Sequence, residues 1–130
     1  MSVTHKWQVT RNNITKEVSK TITPSDEVAV EAVDVSIPDS STDKAVAIGG
    51  IDVSQVVSVY IHSTQDITLE TNDGTTPDDT ISLTADVPLI WCTDCPYSNP
   101  LTTDVTALYA TNASGADAVL NIQVVQDGTP

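Results

Sequence analysis

The chain has 130 residues and carries 5 Lys and Arg against 18 Asp and Glu, a formal charge of −13. That length suits one domain with a core that needs no staples. The charge argues against a general nucleic-acid binder and against docking on anionic membrane, because phosphates and acidic headgroups repel such a field. No apolar run approaches the roughly 20 residues of a spanning helix, and the first residues, Met-Ser-Val-Thr-His-Lys-Trp, show no apolar signal core.

The charge is unevenly placed. All five bases, Lys6, Arg11, Lys16, Lys20 and Lys44, lie in the first 44 positions, and the first 20 residues sum to +3. From Ala45 onward there are 11 acids and no base. Such asymmetry marks either a segment that meets a different surface from the rest, or an acidic protein that keeps its few bases on one solvated hairpin.

In chain order the periodicity is two, as in strands, and not 3.6. Residues 7–11 and 14–23 flank Asn12-Asn13, which reads as a tight hairpin turn because Asn tolerates positive φ. Ile14, Val18 and Ile22 share one face with the stems of Lys16 and Lys20. Over residues 28–37 the apolar set changes parity, from Val28, Val30 and Ala32 to Val33, Val35 and Ile37, which marks a bulge or a bend between sheets. Residues 38–43 read as a polar loop. Val57, Val59 and Ile61 then point one way and Ser58, Tyr60 and His62 the other. The same alternation runs through Ile67, Leu69 and Thr71, through Ile81, Leu83 and Ala85, and through Ala118, Leu120, Ile122 and Val124. Val119, Asn121, Gln123 and Val125 fall on the opposite, outward parity. Residues 73–79 form a loop, residues 92–103 have no periodicity, and residues 113–116 join two late strands.

About ten short strands with regular turn signals predict an all-β protein, an antiparallel β-sandwich over residues 1–130 with a weakly basic N-terminal hairpin at 2–23. The long connections favour Greek-key crossings, so a jelly roll is the first expectation and an immunoglobulin-like sandwich the second. The wide Cys…Trp…Cys spacing of immunoglobulin domains is absent.

Chemical motifs are few. Trp91-Cys92-Thr93-Asp94-Cys95-Pro96 matches the spacing of a redox Cys-x-x-Cys motif. That chemistry wants the first Cys at a helix N-terminus; here prolines follow and an adjacent Asp disfavours a thiolate. The bland reading is two ordinary loop cysteines, reduced or disulfide-bonded. His5 and His62 lack the paired spacing of a zinc site. Residues 72–79 supply hard oxygens of the kind calcium takes, without EF-hand spacing, and Asp and Asn equally serve turns. The sequons at Asn13 and Asn112 read as chance matches. No nucleophile–base arrangement or phosphate-cradling loop is visible, so the expectation is no catalytic residue, no cofactor and no metal, and not an enzyme.

The stretches Ile51-Asp52-Val53-Ser54-Gln55-Val56-Val57-Ser58-Val59-Tyr60-Ile61, Asp66-Ile67-Thr68-Leu69-Glu70-Thr71-Asn72, Pro88-Leu89-Ile90-Trp91, Asp104-Val105-Thr106-Ala107-Leu108-Tyr109-Ala110-Thr111-Asn112 and Ala118-Val119-Leu120-Asn121-Ile122-Gln123-Val124 follow one another in an order that resembles small β-sandwich virion proteins of tailed bacteriophages, the capsid decoration or cement proteins. The resemblance covers about 75 residues and consists of strand-and-turn patterns. It implies an accessory head protein, made in the host cytoplasm, that sits as a homotrimer on the outer capsid surface and clamps the major capsid protein. It transfers no active-site residue. On this reading Lys6, Trp7, Val9, Arg11, Ile14, Lys16 and Lys20 are the partner contacts, with charge for approach and apolar anchors for desolvation. A carbohydrate- or receptor-binding module of a spike or fibre is the alternative; its exposed aromatic platform would have to come from Tyr60, Tyr97 or Tyr109.

Overall fold

A computed structural model describes residues 2–129. The fold is all-β and every strand pairing is antiparallel. The first two strands, β1 (Val3–Arg11) and β2 (Ile14–Ile22), form a separate hairpin. Asn12 and Asn13 adopt φ of 50° and 62°, the two successive positive values that a two-residue type I′ turn requires and that Asn accepts at low cost.

The remaining eight strands are β3 (Glu27–Ile37), β4 (Ser41–Val46), β5 (Val56–Ser63), β6 (Ile67–Thr71), β7 (Thr80–Leu83), β8 (Leu89–Cys92), β9 (Leu108–Asn112) and β10 (Ala118–Asp127). They make two four-stranded sheets, in the orders β3-β10-β5-β8 and β4-β9-β6-β7. Read as pairs, β6 lies beside β7, β5 beside β8, β4 beside β9 and β3 beside β10. A long hairpin folded back on itself nests its strands in this way across the two sheets of a β-sandwich. Alternate residues of both sheets meet in one core that includes Val30, Ile37, Val59, Ile61, Leu69, Ile81, Leu108, Leu120, Ile122 and Val124. The irregular segment after β8 adds Leu101 and Val105, and a backbone bridge between Ile51 and Val105 (2.9 Å in both directions) ties it to the segment before β5.

The parity change in β3 is a bulge. Its register against β10 slips between Val35 opposite Leu120 and Ala32 opposite Ile122. Asp34 sits there with φ of 50°, and its N–H is taken by Asn121 Oδ1 at 2.9 Å. The extra residue keeps Ile37 and Ala32 on the inner face and leaves Val33 outside, 66% exposed.

Two local expectations are corrected. The polar loop at 38–43 is shorter than its composition suggests, because β4 begins at Ser41. Thr42, Asp43 and Lys44 are solvent-facing residues of an edge strand, with Asp43 at φ 48° where the pairing with β9 slips. Charge and irregularity on an edge are what discourage pairing with another chain. Val125, expected on the outward polar face of β10, is on that face but is 1% exposed. The hairpin covers it.

Candidate docking face on the N-terminal hairpin

Strand register divides the hairpin into two unlike faces. Thr4, Lys6, Gln8 and Thr10 lie opposite Thr21, Ser19, Glu17 and Thr15. This face is polar and satisfied internally: Thr4 bonds Thr21, Thr10 bonds Thr15, the Gln8 amide donates to Glu17, and Lys6 pairs with the same carboxylate at 3.3 Å. The other face carries Val3, His5, Trp7, Val9 and Arg11 opposite Ile22, Lys20, Val18, Lys16 and Ile14, so the expected sharing of a face by Ile14, Val18, Ile22, Lys16 and Lys20 is what the register produces.

That mixed face is used in two halves. The half near the root packs on the outer face of the β3-β10-β5-β8 sheet. His5 is buried and its Nε2 lies 2.7 Å from Ser58 Oγ, itself 2% exposed. The Trp7 ring stacks on His5 with centroids 5.7 Å apart. Lys20 pairs with Asp94 after β8, and that hydrogen-bonded carboxylate raises the pKa of the lysine. Ser58 stands opposite both Val125 and Cys92 in its sheet, so one row of outward residues is buried beneath the hairpin. The root is clamped by the Asp127 carboxylate, which accepts from the N–H groups of Ser25 and Asp26 at 3.0 and 3.1 Å, and by Gly128 N–H on Asp26 O. The half near the turn touches nothing comparable. Val9, Ile14 and Val18 are 71%, 62% and 68% exposed, and Arg11 and Lys16 stand among them.

The structure therefore separates the seven residues expected as contacts. Val9, Arg11, Ile14 and Lys16 share the free part of one face. Lys20 lies on that face but is engaged with Asp94 of the sandwich, and Trp7 lies there half-buried, stacked on His5 of its own strand. Lys6 points to the opposite face. Val18 belongs with the free group and was missed; its position opposite Trp7 in the hairpin register was the available signal.

Burial lowers the pKa of His5 from its ordinary 6.5. Below about pH 6.5 the unfolded histidine takes up a proton that the docked ring resists, so docking of the hairpin base is strongest above that pH and weakens as pH falls toward the lower, folded value. Trypsin cleavage within the hairpin should accordingly accelerate between pH 7.5 and about 5.5, after correction for the protease's own pH dependence, and His5→Gln should flatten the trend.

The loop oxygens considered for calcium are engaged locally. The Asp73 carboxylate caps the N–H groups of Thr75 and Thr76, which lowers its pKa. Asn72 Oδ1 accepts from the N–H of Thr106 and its Nδ2 donates to Asp104 O, and the Asp79 carboxylate holds the N–H and hydroxyl of Thr102. Among the described residues no group of three or more His, Cys, Asp or Glu is placed to hold a metal ion, and no helix is long and apolar enough to cross a membrane. Comparison of the chain with protein-family models, with curated proteins and with solved structures finds no match in any of the three.

Proposed function

We propose that this is a structural docking protein, and specifically a capsid decoration protein that sits as a homotrimer on the outside of a bacteriophage head and clamps major-capsid subunits. The observation that carries the docking role is the free half of the hairpin: Val9, Ile14 and Val18 bare on one face, with Arg11 and Lys16 among them, on a chain of net charge −13. Apolar groups supply the desolvated anchor and the bases supply approach and register toward an acidic partner. The particular partner rests on the resemblance of residues 51–124 to decoration proteins. A rigid β-sandwich gives wide contact without needing a pocket, and symmetric closure is one way to cover sheet edges.

The test is occupancy of phage heads assembled without the protein. Exposed ion pairs contribute only about 0–1 kcal/mol each. Arg11→Glu with Lys16→Glu should therefore weaken binding several-fold at low salt and much less at high salt. Val9→Asp with Ile14→Asp should remove most binding at any salt. Lys6→Glu, on the opposite face, should behave as wild type. Wild-type occupancy by the first two variants would show that the hairpin is not the docking face, and a monomeric mass by light scattering at high concentration would remove the trimer.

A further inference from the structure

We propose that Cys92 and Cys95 are a disulfide-forming pair that takes its oxidising equivalent from a small disulfide, and that the bridge fixes the turn on which the hairpin base rests. Cys92 ends β8 and is fully buried, whereas Cys95 is half-exposed. The residues between them make a tight turn: Cys95 N–H donates to Cys92 O at 3.0 Å, and Asp94 takes φ of 71°. Such a turn keeps its first and last Cα atoms within about 7 Å, inside the span a disulfide bridges. Both side chains fall on one side of it, with the sulfurs 3.2 Å apart and Cys92 N–H directed at Cys95 Sγ, also at 3.2 Å.

Exposure sets the order of events. The Cys95 thiolate attacks one sulfur of a small disulfide such as oxidised glutathione; that S–S bond breaks and the first thiolate leaves, to be protonated as a thiol. Cys92 then gives up its proton, its sulfur attacks Cys95 Sγ, and the second thiol is expelled. Two protein thiols lose two hydrogens and one small disulfide becomes two thiols. The two sulfurs are unlike in the matching sense. Burial, then the neighbouring Cys95, pushes the Cys92 thiol up to about 11. At Cys95 burial also acts upward, but the hydrogen bonds from the Cys92 thiol and backbone N–H, with the Lys20 charge, outweigh it and the pKa is lowered. The adjacent Asp94, read from the sequence as hostile to a thiolate, has Lys20 as its partner. The same pairing links the turn to β2, so a bridge between Cys92 and Cys95 holds the Asp94 carboxylate in place beside the hairpin.

Mass spectrometry of the folded full chain after incubation with oxidised glutathione tests this. The wild type should lose two hydrogens and retain no adduct, reversibly with dithiothreitol. Cys92→Ala should stop at a glutathione adduct on Cys95, and Cys95→Ala should stay unmodified while folded because Cys92 is covered. Trypsin cleavage after Lys20 should be several-fold slower in the oxidised wild type than in the reduced. If the folded wild type keeps both thiols under conditions that oxidise the urea-unfolded chain, or if the two single variants react alike, the pair is not the site proposed. Bridge formation with unchanged cleavage after Lys20 would overturn the link to the hairpin. Neither result bears on capsid binding, so this proposal and the docking role fail separately.

Discussion

Leu120→Ala should lower the free energy of unfolding by about 2–5 kcal/mol, toward the upper part of the range that buried leucines give. Leu120 is fully buried on the inner face of β10. The cost has two parts, the lost transfer of the side chain out of water and the cavity left behind, and the second depends on whether the surroundings can close in. Here they cannot do so easily. The strand is hydrogen-bonded on both sides, to Val35 of β3 and Ser63 of β5 at this level, and the opposite sheet closes the core. Leu101 gives the comparison. It is 5% exposed and belongs to the same core, yet it hangs from the irregular segment between β8 and β9, whose backbone has room to follow. Leu101→Ala should fall near the lower end of that same range. Urea unfolding of both variants checks this, with midpoints shifted in that order and slopes unchanged. Equal losses would show that local backbone freedom does not govern the cavity cost.

The second large effect is expected at Asn112, the last residue of β9, which is fully buried. Its amide is satisfied on every side. Nδ2 donates to Ile37 O and to Ala116 O, both at 2.8 Å, and Oδ1 accepts from the N–H and hydroxyl of Ser114 at 3.0 and 2.7 Å. One side chain thus joins the end of β3 in one sheet to the end of β9 in the other and shapes the turn into β10. Asn112→Ala removes both donors: Ile37 O loses a buried partner, at a cost of about 1–3 kcal/mol, whereas Ala116 O, at an exposed residue, keeps the Ser114 hydroxyl at 2.9 Å. Asn112→Asp distinguishes the hydrogen-bond role from simple space-filling. An ionised carboxylate keeps the bonds from Ser114 but faces two carbonyl oxygens, so the protonated form is favoured in the folded state and its pKa there lies above the unfolded value near 3.9. Stability of this variant should be retained at low pH, where the proton supplies a donor, and be lost as pH rises through the folded value. Thermal unfolding of Asn112→Asp against Asn112→Ala from pH 4 to 7 measures it. The two should diverge with rising pH, and parallel curves would exclude the carbonyl contacts as the cause. The sequon that begins at Asn112 is therefore a structural corner, with its amide nitrogen already committed to two carbonyls.

The pattern of residues by itself determined most of the local structure. Alternation placed the inner faces of β5, β6, β7 and β10, the Asn pair specified a turn with two positive φ values, and the parity change located the bulge that the structure centres on Asp34. These are short-range consequences of side-chain period and backbone sterics, so they can be read from a few neighbouring residues. Tertiary structure alone decided the nesting of the eight strands, and it made a strand edge of part of the polar stretch at 38–43. It also turned Ser58, Cys92 and Val125 from outward residues into buried ones, because the hairpin lies over that row. The same packing divided the bases of the mixed face, leaving Arg11 and Lys16 free and committing Lys20 to Asp94, whereas the polar face of Lys6 follows from strand alternation alone. Charge and composition are blind to such divisions: they depend on contacts between residues more than 50 positions apart, such as His5 with Ser58 and Lys20 with Asp94, and these exist only where the hairpin is packed on the sandwich.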